Sequence, residues 1–396
     1  MLAEAARRRG VELHVQTPSP QDPAASLASS VVLADVRDAA GTRQLAERCS
    51  AISFENEWLD LQGLAPLEAD GIRFAPSLEA LAPLVDKRSQ RELLQRLDLP
   101  SPRWCSLSEA LPQPASADAD AVPAQVPQPP PPAALPQGFS YPVMAKACSG
   151  GYDGKGTAVL RNDAELEQLL QRVDAAGWLL EEFVTFEQEL ALVAARDQQG
   201  DVVCFPLVQT HQEQQVCDWV LAPAQANHAL QQAARNMAAS LLTSLDYVGV
   251  LSIEFFYGPR GLLINELAPR THNSGHYTIE ACDWSQFDQQ LLVVSGEQAQ
   301  APQLLVPGAL MVNLLGFGDS ADSDYSQQRQ ALAALPEAHL HWYGKQGSSL
   351  GRKLGHITLL LHQADAPARA QEAQQRLADV RALWPLPGSS NTAHPS

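Results

Sequence analysis

The sequence predicts a multidomain protein of mixed class, in which a parallel α/β domain is followed by antiparallel α+β domains. Three observations lead to this prediction. Short apolar runs alternate with helical spacers near the N-terminus, strand-like segments with short turns follow from residue 141 onward, and a proline-rich stretch separates the two regions. With 396 residues, the chain is long enough for two or three domains and a sizeable core.

Composition and charge argue against several classes of function. The net charge is −18, which opposes binding to nucleic acid or to an anionic membrane surface. The longest apolar runs fall far short of a membrane span, and the N-terminus, MLAEAARRRG, lacks the apolar core of a secretory signal. The six cysteines form no C-x-x-C pair, so we expect free thiols in a reducing compartment. The sequence therefore predicts a cytoplasmic protein with no membrane or nucleic-acid partner.

The first domain is predicted over residues 1–85. Its short strands are VELHV (11–15), VVLAD (31–35) and AISFE (51–55), and helical spacers separate them. The unit opens with a helix instead of a strand, which is an unusual first element for a parallel α/β fold.

A second, small domain is predicted over residues 86–185, and a larger domain over 186–396. The small domain opens with a helix over 86–99 that ends at Pro100. Residues 111–138 hold nine of the chain's 29 prolines and cannot pack a core, so we expect a disordered surface insertion there. The strand–loop–strand–helix–strand pattern that follows lacks a parallel crossover, which indicates an antiparallel α+β domain.

A hairpin in the larger domain places two carboxylates opposite each other. In LSIEFFYGPRGLLINE (251–266), a three-residue loop at 259–261 makes Glu254 face Glu266 at about 5 Å. Two charges at that distance repel by about 3 kcal/mol at an effective dielectric of 20. A divalent cation would offset this cost, and oxygen-only ligands favour Mg²⁺. The alternative is that one acid pairs with Arg270 or takes a proton.

Polar residues gather immediately after this hairpin. INELAPRTHNSGHYT (264–278) places Arg270, His272 and Asn273 just beyond the strand end. If a metal and phosphates occupy that end, these three side chains become donors that face an anion.

A glycine-rich segment, KACSGGYDGKGT (146–157), joins two predicted strands. Its glycines let backbone N–H groups approach a phosphate chain, and Lys146 and Lys155 can neutralise that chain. The segment does not match the Walker A pattern. Glycine-rich hairpins are common, so the segment points to a nucleotide only together with the acidic pair downstream.

These segments together resemble the ATP-grasp superfamily, and within it the N5-carboxyaminoimidazole ribonucleotide synthase family of purine biosynthesis. The resemblance covers the chain to about residue 360, the proline-rich insertion apart. The motifs that carry it are GGYDGKG (150–156), INELAPRTHNSGHYT (264–278), SQF (285–287), HLHWYGK (339–345) and GRKLGH (351–356). The resemblance implies an ATP-grasp fold preceded by a Rossmann-like pre-ATP-grasp domain. It also implies a homodimer.

The resemblance implies a ligase that carboxylates aminoimidazole ribonucleotide with ATP, Mg²⁺ and bicarbonate. Bicarbonate attacks the γ-phosphate to give carboxyphosphate, and the exocyclic amine of the ribonucleotide then takes up the carboxyl unit. Such an enzyme positions two anions, neutralises their charge and excludes water from a labile intermediate.

The resemblance also implies roles for individual residues. The expected ATP contacts are Lys87, Lys146, Gly151, Tyr152, Asp153, Gly154, Lys155, Gly156, Thr157, Glu181, Glu182, Phe183, Val184, Glu189, His211, Asn265 and Glu266. Among these, residues 181–184 correspond to the segment that binds adenine, and Glu189 to the acid that binds the ribose. The expected metal ligands are Glu254 and Glu266. The expected contacts of bicarbonate and carboxyphosphate are Arg270, His272 and Asn273. The expected ribonucleotide contacts are Glu55, Tyr152, Asp153, Lys345, Arg352 and Lys353.

Several of these residues have a structural alternative. Lys87 can be a solvated helix residue, Glu55 a helix N-terminal acid, and His211 a surface histidine. Glu181 and Glu189 can be acids at a strand edge.

Two features depart from the family pattern. The family opens with a strand and a glycine-rich turn before the helix that begins this chain, so we expect either a truncated Rossmann-like domain or a misplaced start site. At 347–350, GSSL stands where the family has an arginine and a proline, so one phosphate-binding arginine is expected to be missing.

Two other functions compete with this interpretation. One is a different ATP-grasp ligase, of the formate-dependent glycinamide ribonucleotide transformylase or biotin carboxylase type, against which SQF and GRKLGH argue. The other is a non-catalytic nucleotide-binding relative.

Overall fold

A computed structural model describes residues 1–111, 134–150, 156–318, 324–345 and 347–387. Most of the predicted disordered insertion, from 112 to 133, lies outside the described residues. The predicted phosphate-loop residues Gly151, Tyr152, Asp153, Gly154 and Lys155 also lie outside them.

The N-terminal region contains a small parallel sheet and four helices within the described residues. Its elements are α1 (Leu2–Arg9), β1 (His14–Thr17), β2 (Ser30–Leu33), α2 (Ala39–Ala46), α3 (Leu61–Ala69) and α4 (Leu78–Leu81). Strands β1 and β2 pair in parallel, as predicted. The predicted strand at 51–55 is wrong. Only Ile52 forms a bridge, to Phe74, because, among the described residues, the backbone on either side of it has no neighbouring strand with which to continue the ladder. The hydroxyl of Ser53 accepts a hydrogen bond from the Gln290 side chain.

The middle region forms an antiparallel sheet of four strands with two helices, counted over its described residues. Its elements are α5 (Lys87–Arg96), β3 (Trp104–Ser106), β4 (Val143–Ala147), β5 (Thr157–Leu160), α6 (Asp163–Leu170) and β6 (Trp178–Glu182). The strand order is β3-β6-β4-β5. Asp86 caps α5 by accepting a hydrogen bond from the backbone N–H of Ser89, which fixes where the helix begins.

The C-terminal region is built on a large antiparallel sheet. Its strands are β7 (Gln188–Arg196), β8 (Val202–Cys204), β9 (Val208–Glu213), β10 (Val216–Ala222), β11 (Gly249–Gly258), β12 (Gly261–Ala268), β13 (Gly308–Leu315), β14 (Ala338–Trp342) and β15 (Lys353–Leu361). Its helices are α7 (His228–Ser244), α8 (Thr278–Ala281), α9 (Gln286–Ser295), α10 (Ser326–Ala333) and α11 (Ala366–Leu383). The order along the sheet is β12-β11-β7-β9-β10-β13-β15-β14, and β8 pairs with β7.

The β11–β12 hairpin confirms the opposed acids but not the predicted loop. Gly258 pairs with Gly261, so only two residues lie between the strands, and the register differs by one from the predicted register. A β-bulge then inserts Asn265 between Ile264 and Glu266 and brings Glu254 opposite Glu266 after all. The bulge therefore corrects the offset that the shorter loop introduces.

Each sheet lies within one predicted domain, which supports the boundaries at 85/86 and 185/186 that we propose. The largest hydrophobic core nevertheless joins the regions, because Leu84 and Leu93 pack into the same cluster as Leu241 of α7 and Ile253 of β11. Helix α5 and strand β12 are thereby held together at the point where the acidic pair lies. In the described residues, no helix combines the length and apolar character needed to cross a membrane.

Candidate active site

A cavity of about 1860 Å³ opens between the N-terminal region, the four-stranded sheet and the large sheet. The predicted site residues that line it are Glu55, Lys87, Lys146, Thr157, Glu181, Glu182, Phe183, Val184, Glu189, His211, Glu254, Asn265, Glu266, Arg270, His272, Asn273, Lys345 and Lys353. The fold therefore brings together residues that are up to 298 positions apart in the sequence, from Glu55 to Lys353 (353 − 55).

A buried ion cluster forms one wall of the cavity. Glu181 is only 2% exposed, and its two carboxylate oxygens bind Arg91 Nε and Lys146 Nζ at 2.6 Å each. Burial alone would raise the pKa of Glu181, but the charges of Arg91 and Lys146 lower it to about 2. Lys146 also donates to Asn265 Oδ1 at 3.0 Å, so its ammonium group is fixed at the cavity wall.

In the predicted adenine segment, the side chain of Glu182 is also bound by other groups of the protein. Glu182 binds the Arg260 guanidinium at 2.8 Å and accepts a hydrogen bond from the backbone N–H of Arg103 at 2.7 Å. Phe183 and Val184 line the cavity, and Phe183 is 45% exposed. The carboxylates at 181 and 182 are therefore occupied by cations, and the backbone N–H of Glu182 donates to Arg103 O at 2.9 Å.

The acidic pair lies where β11 meets β12. Burial and the charge of Glu266 raise the pKa of Glu254 to about 7. Burial would also raise the pKa of Glu266, but Lys87, which binds it directly, holds that pKa below its usual value. Burial and the charge of Glu254 raise the pKa of Glu189 to about 7. The carboxylates repel one another, and Lys87 neutralises only one of them.

Arg270 does not neutralise either acid. Its guanidinium binds Glu57 Oε1 at 2.7 Å, and its Nε is buried without a hydrogen-bond partner in the described structure. The sequence analysis gives Arg270 as the alternative partner of one acid, but in the structure Lys87 is the cation that binds Glu266.

The loop after β12 presents polar groups beside the acidic pair. His272 Nε2 lies 3.7 Å from Glu254 Oε1, and Nδ1 lies 3.0 Å from Ser274 Oγ. Asn273 and Asn313 exchange side-chain hydrogen bonds of 2.8 and 2.9 Å, so β13 fixes the orientation of the Asn273 amide. Contacts within the loop and to β13 therefore hold His272 and Asn273 in place.

The predicted ribonucleotide contacts are brought together only in part. Lys345 and Lys353 lie at one end of the cavity, where Lys345 Nζ donates to the backbone oxygen of Lys353 at 3.1 Å. Glu55 lines the same cavity, and burial raises the pKa of its carboxyl group. Arg352 is exposed, donates to Gly347 O at 3.0 Å and does not line the cavity.

Two predicted ATP contacts lie at the cavity edge. His211 is exposed to the cavity and stacks on Trp219, with ring centroids 5.2 Å apart. Gly156 does not line the cavity, but its φ of +80° belongs to the left-handed region that favours glycine.

Sequence reasoning missed four residues that organise the site: Arg91, Glu57, Asn313 and Gln286. Arg91 could have been found from the sequence, because this charged residue shares the apolar, buried face of α5 with Leu94. The only indication for Gln286 in the sequence was that it belongs to the SQF motif, to which no role was assigned.

The donor set suits a magnesium ion that is shared with a nucleotide. In the parts of the chain that the structure describes, no cluster of three or more His, Cys, Asp or Glu side chains is arranged to hold a metal. Two opposed carboxylates, of which Lys87 neutralises only one, fit a cation that completes its coordination shell with phosphate oxygens and water.

The fold and site define an ATP-dependent ligase of the ATP-grasp superfamily. Family models agree: residues 1–84 match the ribonucleotide synthetase pre-ATP-grasp domain, 131–287 the ATP-grasp domain, and 309–370 the phosphoribosylaminoimidazole carboxylase C-terminal domain.

Relatives and solved structures narrow the assignment. The N5-carboxyaminoimidazole ribonucleotide synthase of Synechococcus elongatus is 50% identical over 394 residues, which cover 100% of this chain and 94% of that protein. The crystal structure of the Thermus thermophilus synthetase is 30% identical, with a TM-score of 0.79 over 97% of this chain and 95% of the other. The Aspergillus clavatus synthase, solved in complex with ADP and 5-aminoimidazole ribonucleotide, is 27% identical, with a TM-score of 0.81 over 96% and 94% of the two chains. The chain belongs to the N5-carboxyaminoimidazole ribonucleotide synthase family, which confirms the resemblance predicted from its motifs.

Proposed function

We propose that this enzyme carboxylates 5-aminoimidazole ribonucleotide to N5-carboxyaminoimidazole ribonucleotide, with ATP and bicarbonate as co-substrates, in purine biosynthesis. The observation that carries the proposal is the opposition of Glu254 and Glu266. Lys87 binds Glu266, and His272 of the 270–273 loop lies 3.7 Å from Glu254, while Lys146 lines the same cavity. Cations for a polyphosphate and donors for a small anion thus meet at one carboxylate pair. The family membership supports the same reaction.

The nucleotide occupies the part of the cavity between the two sheets. Since the carboxylates of Glu181 and Glu182 are bound to cations, we assign adenine to the backbone of residues 182–184. Glu189 is assigned to the ribose. Lys87 and Lys146 are assigned to the phosphates, with Gly151–Thr157 as the loop over them and His211 at the edge.

Glu254 and Glu266 would hold Mg²⁺, with Asn265 beside them in the bulge. The ion would neutralise phosphate oxygens and relieve the repulsion between the two acids. This chain contributes the rigid hairpin, because β11 is paired along its length with β7 and β12.

Arg270, His272 and Asn273 are assigned to bicarbonate. A bicarbonate oxygen forms a bond to the γ-phosphorus while the bond from that phosphorus to the β-γ bridging oxygen breaks, which gives ADP and carboxyphosphate. Carboxyphosphate then breaks at its C–O bond to CO₂ and phosphate, and the exocyclic amine of the ribonucleotide bonds to the carbon and loses a proton. The residues orient the anions and keep water out during both steps.

The ribonucleotide is assigned to the far end of the cavity. Lys345 and Lys353 supply positive charge for its 5′-phosphate, and Glu55 faces its ribose. Tyr152 and Asp153 are retained as loop contacts, and Arg352 as an outer phosphate contact. We also retain the expectation of a homodimer.

The test is ATP hydrolysis by the purified protein with each co-substrate omitted in turn. We expect turnover to require both bicarbonate and aminoimidazole ribonucleotide, and ribonucleotide consumption to match ADP formation. Replacing bicarbonate with formate is the control for a transformylase-type ligase. Hydrolysis that ignores the ribonucleotide, or proceeds with formate, would refute the proposal.

A further inference from the structure

Gln286 clamps the loop that carries His272 and His276. It is the first residue of α9, and its side chain is fully buried. Its amide oxygen accepts a hydrogen bond from the backbone N–H of His272 at 2.8 Å. Its amide nitrogen donates to the backbone oxygen of His272 at 2.7 Å and lies 3.0 Å from His276 Nδ1.

The polarity of these contacts fixes the orientation of the Gln286 amide. A backbone N–H can only donate and a backbone carbonyl can only accept, so the two bonds to His272 leave one assignment of oxygen and nitrogen. The group that faces His276 Nδ1 is therefore an N–H donor, and Nδ1 must accept. An accepting Nδ1 carries no proton, which makes His276 a neutral imidazole with its proton on Nε2.

The surroundings of His276 support the neutral form. Burial lowers the pKa of His276 well below its usual value, and the charges of His272, Lys353, His341 and the N-terminus act in the same direction. The ring lies against Phe287 and His356, with centroid distances of 5.6 and 4.9 Å.

The close packing around the clamp shows that the contact is specific. A Cβ atom on Gly275 would lie 2.6 Å from the amide oxygen of Gln286, so only glycine fits between the two histidines in this arrangement. Thr278 also helps to fix the backbone of Gln286, because its hydroxyl accepts a hydrogen bond from the backbone N–H of Gln286 at 3.0 Å.

His276 Nε2 is available to a ligand. His276 is 8% exposed and lines the cavity together with His272, Asn273 and Lys353. None of the described residues accepts a hydrogen bond from Nε2. A neutral donor thus lines the same cavity as the residues assigned to bicarbonate and a lysine assigned to the ribonucleotide, close enough for the charges of His272 and Lys353 to act on it.

We propose that His276 is a further substrate-contacting residue, which donates its Nε2–H to the carboxyl group being transferred, and that Gln286 is its positioning residue. This inference rests on the proposed function. A neutral donor suits the product, which carries its carboxyl group on nitrogen as a carbamate. Protonation of that nitrogen would release CO₂ again, and an imidazole without a labile second proton cannot supply that proton.

The first test reads the ring directly and does not depend on activity. Nitrogen NMR of the full-length protein with ring-labelled histidine, assigned by comparison with His276→Gln, reports the protonation of Nδ1 and Nε2. We expect the Nε2–H form in the wild type and a shift away from it in Gln286→Leu. A protonated Nδ1 in the wild type would overturn the inference.

The second test separates a donor from a packing residue. We expect His276→Leu to lower kcat for ribonucleotide consumption by about ten- to a hundredfold, the effect of one hydrogen bond to a charged group, with little change in KM for ATP. His276→Gln, which retains an N–H donor, should recover most of the loss. Equal impairment of folded Leu and Gln variants, or wild-type kcat in His276→Leu, would overturn the inference.

Gln289→Leu is the matched control for Gln286→Leu. Both glutamines are fully buried in α9, but Gln289 exchanges hydrogen bonds with Gln300 and does not touch the histidine loop. We expect kcat to fall in Gln286→Leu and to stay within about threefold of wild type in Gln289→Leu. If the wild type shows no ribonucleotide-dependent turnover, the proposed function fails, whereas the NMR result still decides the state of His276.

Discussion

The carboxylate of Glu181 lies 2.6 Å from the ammonium group of Lys146, and the other carboxylate oxygen lies 2.6 Å from Arg91. The three residues come from β6, β4 and α5 and are all nearly inaccessible to solvent. Since Lys146, which we assign to the ATP phosphates, depends on this buried acid for its position, the cluster links the stability of the small sheet to the geometry of the proposed nucleotide site.

Glu181→Gln should destabilise the protein strongly. Removing the acid leaves two buried cations without compensation, which costs about 3–5 kcal/mol in the free energy of unfolding. Urea denaturation measures this loss. The control is Glu182→Gln, whose side chain is 20% exposed and pairs with the half-exposed Arg260. A partly exposed pair of that kind contributes far less than a fully buried one, about 1 kcal/mol. Equal effects of the two substitutions would contradict the role of Glu181.

The contribution of Glu181 should depend on pH. Its pKa is about 2 in the folded protein against 4.5 as the reference value. A lowered pKa means that the stabilisation is complete above about pH 4.5 and is lost as the pH falls towards 2. The difference in unfolding free energy between wild type and Glu181→Gln should therefore be constant from pH 7 to 5 and shrink below pH 4.5. A difference that grows on acidification would contradict this assignment.

Glu266→Gln should abolish turnover with the fold retained. The substitution removes one of the two carboxylates assigned to Mg²⁺ and leaves Lys87 without its partner. We expect near-complete loss of ribonucleotide-dependent ATP hydrolysis and an unchanged circular dichroism spectrum. Glu167→Gln, at an exposed position of α6, should behave as wild type. Wild-type activity in Glu266→Gln would remove the metal assignment.

Gly275→Ala should impair activity by displacing the histidine loop. The added methyl group would lie 2.6 Å from the side chain of Gln286, which itself is fixed by three hydrogen bonds. We expect kcat to fall at least about tenfold, a loss of about 1.4 kcal/mol of transition-state stabilisation. Gly177→Ala is the control, because a methyl group there meets no atom within 4 Å. Similar kinetics in both variants would show that the clamp has no functional role.

Lys353→Met should raise KM for the ribonucleotide more than KM for ATP. Lys353 lines the cavity, whereas its neighbour Arg352 is exposed and lies outside the lining residues. Arg352→Met should therefore have the smaller effect in the same assay. A larger effect of Arg352→Met would place the 5′-phosphate elsewhere.

The apolar runs were sufficient to predict a parallel region followed by an antiparallel one, because β1, β2, β4 to β7 and the β11–β12 hairpin each have their own local pattern. They did not identify β3, β8 to β10 or β13 to β15. The strand at 51–55 failed, since an apolar run of that length does not specify whether a neighbouring strand pairs with it. The opposition of Glu254 and Glu266 was predicted from turn chemistry and is confirmed, although through a different loop.

The bulge at Asn265 could not be predicted from local sequence. The backbone oxygen of Asn265 accepts a hydrogen bond from Arg91 and its side chain accepts one from Lys146, and both donors lie more than 100 residues away. The same applies to Lys87, which we expected on a phosphate and which the structure pairs with Glu266. Contacts between distant elements decided these positions, and no periodicity in the sequence records them.

The pairing of Lys87 with Glu266 has a consequence for how the proposed magnesium site would be filled. A lysine and a divalent cation compete for one carboxylate, so loading the site is an exchange of counterions and not a simple addition of charge. The displaced ammonium group then becomes free to meet the incoming triphosphate. Affinity for magnesium should accordingly be higher in the presence of nucleotide than in its absence.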